Sequence, residues 1–85
     1  MFHLSIITPS GKVFEDNVES VAVPGMMGGL ELYSGHMTIL SALKGGVVHI
    51  KKEGKEFKTL TIDSGVLEVD ADHNVLLLAD QIIGG

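Results

Sequence analysis

The chain has 85 residues, of which 45% are hydrophobic and 20% charged, with a formal net charge of −5 and no cysteine. This length suffices for one domain around one core, and no apolar run approaches the roughly 20 residues of a membrane-spanning helix, so direct membrane insertion is not expected. The missing cysteines exclude disulfides, thiol nucleophiles and zinc–thiolate sites, and the acidic charge argues against a nucleic-acid partner.

Alternating hydrophobic residues predict strands in the first third of the chain. The segment FHLSIIT, residues 2–8, alternates large apolar and polar residues, which is typical of a strand with one buried face. The segment VESVAVPG, residues 18–25, predicts a second strand that ends at its Pro-Gly pair. We expect PGMMGGLE, residues 24–31, to form an exposed loop.

A hairpin is predicted where GVVHIKK and KEFKTLTID flank Glu53-Gly54, because this pair suits a two-residue turn. That turn would place Lys51 opposite Glu56 and Ile50 opposite Phe57. One of these cross-strand pairs is ionic and the other apolar, and both are favourable.

Another hairpin is predicted from GVLEVD and NVLLLAD, residues 65–70 and 74–80. The segment HMTILSAL, residues 36–43, has room for two helical turns, but its β-branched residues and the glycines after it favour a strand. Strands interrupted every eight to twelve residues by turn signals indicate one all-β domain, a sandwich or barrel.

Catalysis is not expected from Ser34 and His36, the most suggestive polar pair. Two residues apart on a strand, their side chains would lie about 6–7 Å apart, too far for the serine to pass its proton to the histidine. The chain also lacks a G-x-S-x-G elbow. We therefore interpret Ser34-Gly35 as a turn and predict no catalytic residue.

Metal and nucleotide sites are not predicted either. The four histidines show no ligand spacing, and Asp70, Asp72 and Asn74 lack the glycine and distal glutamate of a calcium loop, so a turn explains them better. The SGKV segment lacks the first glycine of a phosphate-binding loop. No cofactor is expected.

Met26 and Met27 allow two interpretations. Methionine is flexible and polarisable and suits an adaptable contact surface, whereas the pair could instead pack into the core beneath a glycine-rich loop. Because no catalytic group is evident elsewhere, we expect the domain to act by binding partners.

The chain contains, in this order, the segments ITPSGKVFEDNVESVAVPG, GGLELYSGHMTILSALKGGVVHI and DSGVLEVDADHNVLLLAD. Together these segments resemble the N-terminal β-sandwich of the epsilon subunit of F-type ATP synthases, and the resemblance covers residues 2–83. Its most specific parts are Gly35-His36, LKGGVVHI, Ser64-Gly65-Val66 and VLLLAD. The resemblance implies a single domain, residues 1–85, folded as a flattened β-sandwich of two five-stranded sheets.

The resemblance also implies a rotor subunit that joins the gamma subunit to the c-ring and couples proton flow to ATP synthesis. Such a subunit would be peripheral, on the cytoplasmic face of the bacterial inner membrane. The implied c-ring contact comprises Gly25, Met26, Met27, Gly28, Gly29, Leu30 and Glu31. The implied gamma contact comprises Ser10, Ser34, His36, Thr38 and Leu40.

Two departures from the family pattern matter. The family commonly places carboxylates in the ring-facing segment, where this chain has Met27 and Gly29, so the ring contact is either apolar or ionic through Glu31. Many members continue into a C-terminal pair of helices that can bind ATP, whereas this sequence stops at Gly85. We therefore expect no C-terminal helical domain and no ATP binding.

A ubiquitin-like or sulfur-carrier protein is the alternative, because the sequence ends in Gly84-Gly85, which such proteins use for C-terminal activation. Their β-grasp fold needs a central helix of ten or more residues, and no segment predicts one. A small esterase that uses Ser34 and His36 is a third possibility.

Overall fold

The structure is a computed structural model that describes residues 1–33, 38–70, 72 and 74–84. These residues form ten strands and no helix. The strands are β1 Phe2–Thr8, β2 Gly11–Val18, β3 Ser20–Gly25, β4 Gly28–Leu32, β5 Ile39–Leu43, β6 Gly46–Lys52, β7 Lys55–Ile62, β8 Gly65–Val69, β9 Asn74–Ala79 and β10 Ile82–Gly84.

The strands form two five-stranded layers. Hydrogen bonding follows the order β10-β7-β6-β3-β5-β8-β9-β1-β2, with β4 paired to the free side of β3. The first layer is therefore β4-β3-β6-β7-β10 and the second is β5-β8-β9-β1-β2. Within the described residues, one registered pair joins the layers, Gly25 opposite Leu43. The predicted all-β sandwich of two five-stranded sheets is confirmed.

The core lies between the two layers and consists of the inward-facing residues, which alternate along the strands with outward-facing ones. In β1, for example, Phe2, Leu4 and Ile6 are buried while the residues between them are partly exposed, as the sequence predicts. The remaining buried hydrophobic residues are Val18, Val21, Val23, Leu43, Val48, Ile50, Leu60, Ile62, Leu67, Val69, Val75, Leu77 and Ala79.

The β6–β7 hairpin is confirmed, but one of its two predicted cross-strand pairs is wrong. Both turn residues have positive φ, 57° at Glu53 and 77° at Gly54, as a type I′ turn requires. Lys51 then faces Glu56, as predicted, but Ile50 faces Lys58 rather than Phe57. A β-bulge between these pairs leaves Phe57 without a partner on β6 and changes the direction of its ring.

The strand predicted for residues 18–25 is in fact the end of β2 followed by β3. Val18 is the last residue of β2, an edge strand that the sequence did not reveal. Its residues are mostly polar and exposed, so the hydrophobic alternation that identifies a half-buried strand is weak there. The short β10 was missed as well, because Ile82–Gly84 offers too few residues for any pattern.

The loop predicted for residues 24–31 is also wrong, because this segment forms a β-hairpin. Gly25 pairs with Gly28 and Pro24 with Gly29 across a turn at Met26-Met27, and β4 continues to Leu32. Glycines disfavour strands by intrinsic propensity, but backbone pairing to β3 overrides that preference here.

The other predicted strands are confirmed. Ile39–Leu43 is a strand rather than a helix, and β8 pairs with β9 across the turn that begins at Asp70. The Asp70 carboxylate accepts hydrogen bonds from the backbone N–H groups of Asp72, at 2.8 Å, and Asn74, at 3.1 Å. This is the turn that the sequence favoured over a calcium loop.

The ubiquitin-like alternative is not supported by this fold. The described residues contain no helix, and the longest stretch outside them, residues 34–37, is too short for the central helix of a β-grasp fold.

No helix within residues 1–33, 38–70, 72 and 74–84 is long and apolar enough to cross a membrane.

Candidate interaction surfaces

The β3–β4 turn projects two methionine side chains into solvent. We call residues 25–28 the hairpin tip. Met27 is 102% exposed and Met26 is 60% exposed. Of the two interpretations that the sequence left open, packing of this pair in the core is therefore excluded. Neighbouring apolar side chains exposed at a turn are typical of a contact surface.

The hairpin tip is held in place by backbone contacts with β5 and the residue after it. The Met26 N–H donates a hydrogen bond to the Ala42 carbonyl at 3.0 Å, and the Lys44 N–H donates one to the Pro24 carbonyl at 2.9 Å. Gly28 has a φ of 130°, which L side chains rarely adopt, so glycine is required there. The tip is consequently a fixed platform for its two methionines.

The structure brings the predicted c-ring contact residues together on one hairpin. Gly25 is buried at the end of β3, whereas Gly28 and Gly29 are exposed at the start of β4. Leu30 faces Val23 across the hairpin and is 36% exposed. Glu31 faces Ala22 and lies on the outer surface of the first layer.

A shallow groove of about 420 Å³ runs along this outer surface, beside the hairpin tip. Its lining residues, which we call the β3–β4 groove, are Ala22, Val23, Pro24, Gly29, Leu30, Glu31, Val47 and His49. A hydrogen bond to the Glu31 carboxylate raises the pKa of Tyr33. The His49 Nδ1 atom lies 2.7 Å from Glu56 Oε1, so this imidazole already has a carboxylate partner.

The outer surface of the second layer carries a continuous apolar row. Strand registers place Ala42 beside Val66, Val66 beside Leu78, and Leu78 beside Ile7, across β5, β8, β9 and β1. Val66 and Leu78 are 38% and 44% exposed. We call these four residues the apolar row. An exposed apolar surface that spans four strands is typical of an interface.

The predicted gamma-contact residues are placed around this row as far as the structure describes them. Leu40 is 76% exposed on β5 and lies two residues from Ala42, on the same face. Thr38 is exposed just before β5, and Ser10 lies in the β1–β2 turn, beyond Ile7. Ser34 and His36 lie outside the described residues. The structure therefore does not test the esterase hypothesis, which depends on these two residues.

Sequence reasoning missed the apolar row that lies between Leu40 and Ser10. In GVLEV the alternation already assigns Leu67 and Val69 to one face, and so Val66 to the other. In NVLLLA every residue after the first is apolar, so the pattern could not assign Leu78 to a face. Only the register with β8 and β1 shows that Leu78 points outward.

The turns at one end of the sandwich contribute polar groups near Ser10. A groove of about 280 Å³ is lined by Thr8, Ser10, Val13, Asp80, Gln81 and Ile82. The Ser64 hydroxyl donates a hydrogen bond to Asp80 Oδ2 at 2.5 Å, which fixes this carboxylate at the edge of the groove. Among the described residues, no group of three or more His, Cys, Asp or Glu side chains is arranged to hold a metal ion.

The amino-acid sequence matches one protein family along its whole length. Residues 1–85 match the family described as the β-sandwich domain of the ATP synthase delta/epsilon chain. The chain is 37% identical over 81 residues to the ATP synthase epsilon chain of Campylobacter curvus and 36% identical over 81 residues to that of Campylobacter concisus. Each alignment covers 95% of this chain and 62% of the relative, so the chain spans less than two thirds of their length.

Solved structures share the fold. A chain in the cryo-EM structure of the Tetrahymena thermophila mitochondrial ATP synthase central stalk and c-ring superposes with a TM-score of 0.82 at 15% identity, covering 96% of this chain and 65% of that chain. A chain of the Euglena gracilis mitochondrial ATP synthase in rotational state 1 gives a TM-score of 0.85 at 17% identity, covering 95% of this chain and 51% of that chain. At these identities the likeness concerns the fold alone.

Proposed function

Because the chain belongs to the β-sandwich family of ATP synthase delta and epsilon chains, we propose that it is a non-catalytic central-stalk subunit of a proton-translocating F-type ATP synthase. In this role it joins the gamma subunit to the c-ring, and so couples proton flow to ATP synthesis. It is a peripheral subunit on the cytoplasmic face of a bacterial inner membrane, held there through the complex.

The observation that carries this proposal is the presence of two separate contact surfaces on one packed body. The hairpin tip with its exposed methionines extends the first layer at one end of the sandwich. The apolar row and Leu40 lie on the outer face of the second layer. A subunit that transmits rotation needs two such surfaces, since it must be held by both partners at once.

The tip is assigned to the c-ring and the second-layer face to the gamma subunit. A projecting hairpin tip in which two glycines flank the methionines suits close approach to the short polar loops of a membrane ring. A broad apolar face suits a stable interface with a soluble subunit, and such interfaces typically bury on the order of 1,600 Å² in total. The gamma contact then comprises Ser10, Thr38, Leu40 and the apolar row, with Ser34 and His36 carried over from the family pattern.

Torque transmission also requires a stiff body. The interior is filled by side chains from both layers that are almost completely inaccessible to solvent, and close-packed interiors have low compressibility. The backbone link between the layers pairs Gly25, the first residue of the hairpin tip, with Leu43 on β5. A force applied at the tip is therefore passed directly to β5 and the second layer.

The proposal is tested by adding the purified chain to inverted membrane vesicles whose ATP synthase has been depleted of this subunit. We expect the added chain to restore ATP-driven proton pumping. Fewer ATP molecules should then be hydrolysed per proton moved than in the depleted vesicles. Binding without any gain in pumping would refute a coupling role, and the absence of binding would refute the assignment to the rotor.

A further inference from the structure

We propose that Glu68, on the outer face of the second layer, pairs with one arginine side chain of the partner that covers this face, and so decides which surface the face accepts. The inference rests on the proposed function, because that function assigns this face to the gamma subunit. It goes beyond the apolar contact described above, since it gives the interface an ionic centre and the opposing group a chemical identity.

Glu68 emerges from an apolar frame. The strand registers place Leu40 of β5 on one side of it and Leu76 of β9 on the other. Val66, two residues earlier on β8, points to the same face and belongs to the apolar row. Side chains that lie directly opposite each other on neighbouring strands have their Cβ atoms about 4.5–5.5 Å apart. The exposed carboxylate is therefore flanked closely by two leucines and a valine.

The chain itself provides no cation for this carboxylate. Within the part of the chain that the structure describes, the ion pairs use the carboxylates of Glu15, Asp16 and Glu56, and none of them includes Glu68. His3 is on the same face of the layer, but its Nε2 atom lies 2.8 Å from Glu15 on β2. The charge of Glu68 is thus left for a group outside the chain.

A partner that covers the apolar frame also removes water from Glu68. An ionised carboxylate that loses its water without gaining a cation opposes binding, whereas a well-placed cation compensates for this loss. Arginine suits the position better than lysine, because its guanidinium is weakly hydrated and donates two parallel hydrogen bonds to a carboxylate. Its methylene stem can lie along the exposed surface of Leu40 or Leu76.

The surroundings of Glu68 match the composition of an interface hot spot. In such a cluster, a few anchoring contacts are surrounded by others that keep water away from them. Leu40 is 76% exposed, and Val66 and Leu78 of the apolar row are 38% and 44% exposed, so these side chains are free to form that surround. A purely apolar partner surface predicts the opposite role, because Glu68 would then weaken the contact.

The pair is tested by measuring binding to ATP synthase that retains the gamma subunit but lacks the c-ring and its own copy of this chain. We expect Glu68→Gln to weaken binding about 10–100-fold, because a hydrogen bond to a charged group is lost. The change should lie mainly in the dissociation rate, since an exposed charge acts on the association rate instead. Glu68→Leu should also weaken binding, although it enlarges the apolar surface.

Glu53→Gln is the matched control. Glu53 is exposed in the β6–β7 turn of the first layer, and its replacement removes the same charge from the chain. This variant should bind like the wild type. Circular dichroism of each variant verifies that it is folded.

Three results would overturn the proposal. Tighter binding of Glu68→Leu would show that an apolar surface covers this face. Wild-type affinity of Glu68→Gln would show that the charge is not used, and a change confined to the association rate would indicate a charge at the exposed rim. Failure of the wild-type chain to bind this preparation would instead refute the proposed function itself.

The opposing residue is located by photo-crosslinking. The chain has no cysteine, so Leu40→Cys provides a single thiol for benzophenone maleimide beside an intact Glu68. We expect the adduct to contain a segment of the gamma subunit with an arginine next to the crosslinked position. Replacing this arginine by glutamine should weaken binding of the wild type but have little further effect on Glu68→Gln. A crosslinked segment without an arginine would contradict the pair.

Discussion

Lys52 on β6 donates a hydrogen bond at 2.9 Å to the Asp16 carboxylate on β2 and thereby joins the two layers of the sandwich through side chains. The Phe14 and Phe57 rings meet edge to face beside it, with centroids 6.3 Å apart, and Lys52 Nζ lies 5.3 Å from the Phe57 centroid. We call these four residues the clasp. The backbone link at Gly25 and Leu43 connects the layers elsewhere, so the clasp gives the body a second point of attachment.

The clasp is expected to contribute to stability as a coupled unit. Phe14→Leu and Phe57→Leu should each destabilise the fold, and the double variant should lose less than the sum of the two. We expect a coupling free energy of about 0.5–1 kcal/mol, because edge-to-face aromatic pairs contribute beyond their buried area and Phe57 is half-exposed. Urea denaturation of the four proteins measures this cycle. Strict additivity would show that the rings act independently.

Two glycines of one hairpin should respond differently to the same substitution. A Cβ atom at Gly25 would lie 2.5 Å from the Gly28 carbonyl oxygen, whereas one at Gly29 would meet nothing closer than 4.0 Å. We expect Gly25→Ala to reduce the free energy of unfolding by about 1–3 kcal/mol, the usual range for overpacking. Gly29→Ala should be nearly neutral. Equal urea midpoints for both variants would contradict the tight turn at the hairpin tip.

The His3–Glu15 pair predicts a specific dependence of stability on pH. The hydrogen bond from His3 Nε2 to Glu15, at 2.8 Å, raises the pKa of His3, and Asn17 adds to this effect. The Lys12 ammonium, and next His3, lower the pKa of Glu15. The stabilisation from His3 is complete below its ordinary pKa of about 6.5 and is lost as the pH rises through the raised value.

The stabilisation from Glu15 is present above its ordinary pKa of about 4.5 and is lost as the pH falls through the lowered value. The pair is therefore strongest between about pH 4.5 and 6.5. We expect His3→Gln to be less stable than the wild type at about pH 5.5 and equally stable well above the His3 pKa. Urea denaturation at both pH values measures the difference, and a pH-independent difference would argue against the ion pair.

A charge introduced at the hairpin tip should leave the stability of the fold unchanged but should impair coupling in the complex. Met27 is fully exposed, so Met27→Lys should change the free energy of unfolding measured with urea by no more than about 0.5 kcal/mol. We expect the same variant to reduce ATP-driven proton pumping in membrane vesicles, because a hydrated ammonium group would disturb an apolar contact with the ring. Met27→Leu is the control and should pump normally. Normal pumping by Met27→Lys would contradict the tip assignment.

Local sequence patterns predicted the β6–β7 and β8–β9 hairpins but missed the β1–β2 and β3–β4 hairpins. Glu53-Gly54 indicated the β6–β7 turn correctly, because a type I′ turn has strict backbone requirements. The bulge beside Phe57 could not be predicted, because it is a shift in the backbone register between β6 and β7 and not a side-chain pattern. The β4 strand was missed because backbone pairing to β3, and not side-chain pattern, holds Gly28 and Gly29 in place.

The candidate surfaces also divide into one that the local sequence indicates and others that depend on how the strands pair. Met26 and Met27 stood out from the sequence because two adjacent methionines among glycines are unusual for a core strand. The apolar row depends on which residues of β1, β5, β8 and β9 become neighbours, and this register is a property of the folded sheet. The groove beside Glu31 likewise exists only because β4 and β6 flank β3.

Affinity purification of the tagged chain from detergent-solubilised membranes tests most directly whether this domain joins two rotor partners. We predict that the wild type retains both the gamma subunit and the c-ring. The Leu78→Glu variant, changed in the apolar row, should fail to retain the gamma subunit. This loss is measured in a preparation from which the c-ring has been removed, because the ring would otherwise keep the gamma subunit in the same complex. Recovery of only one of these partners, or of neither, with the wild-type chain would contradict the account.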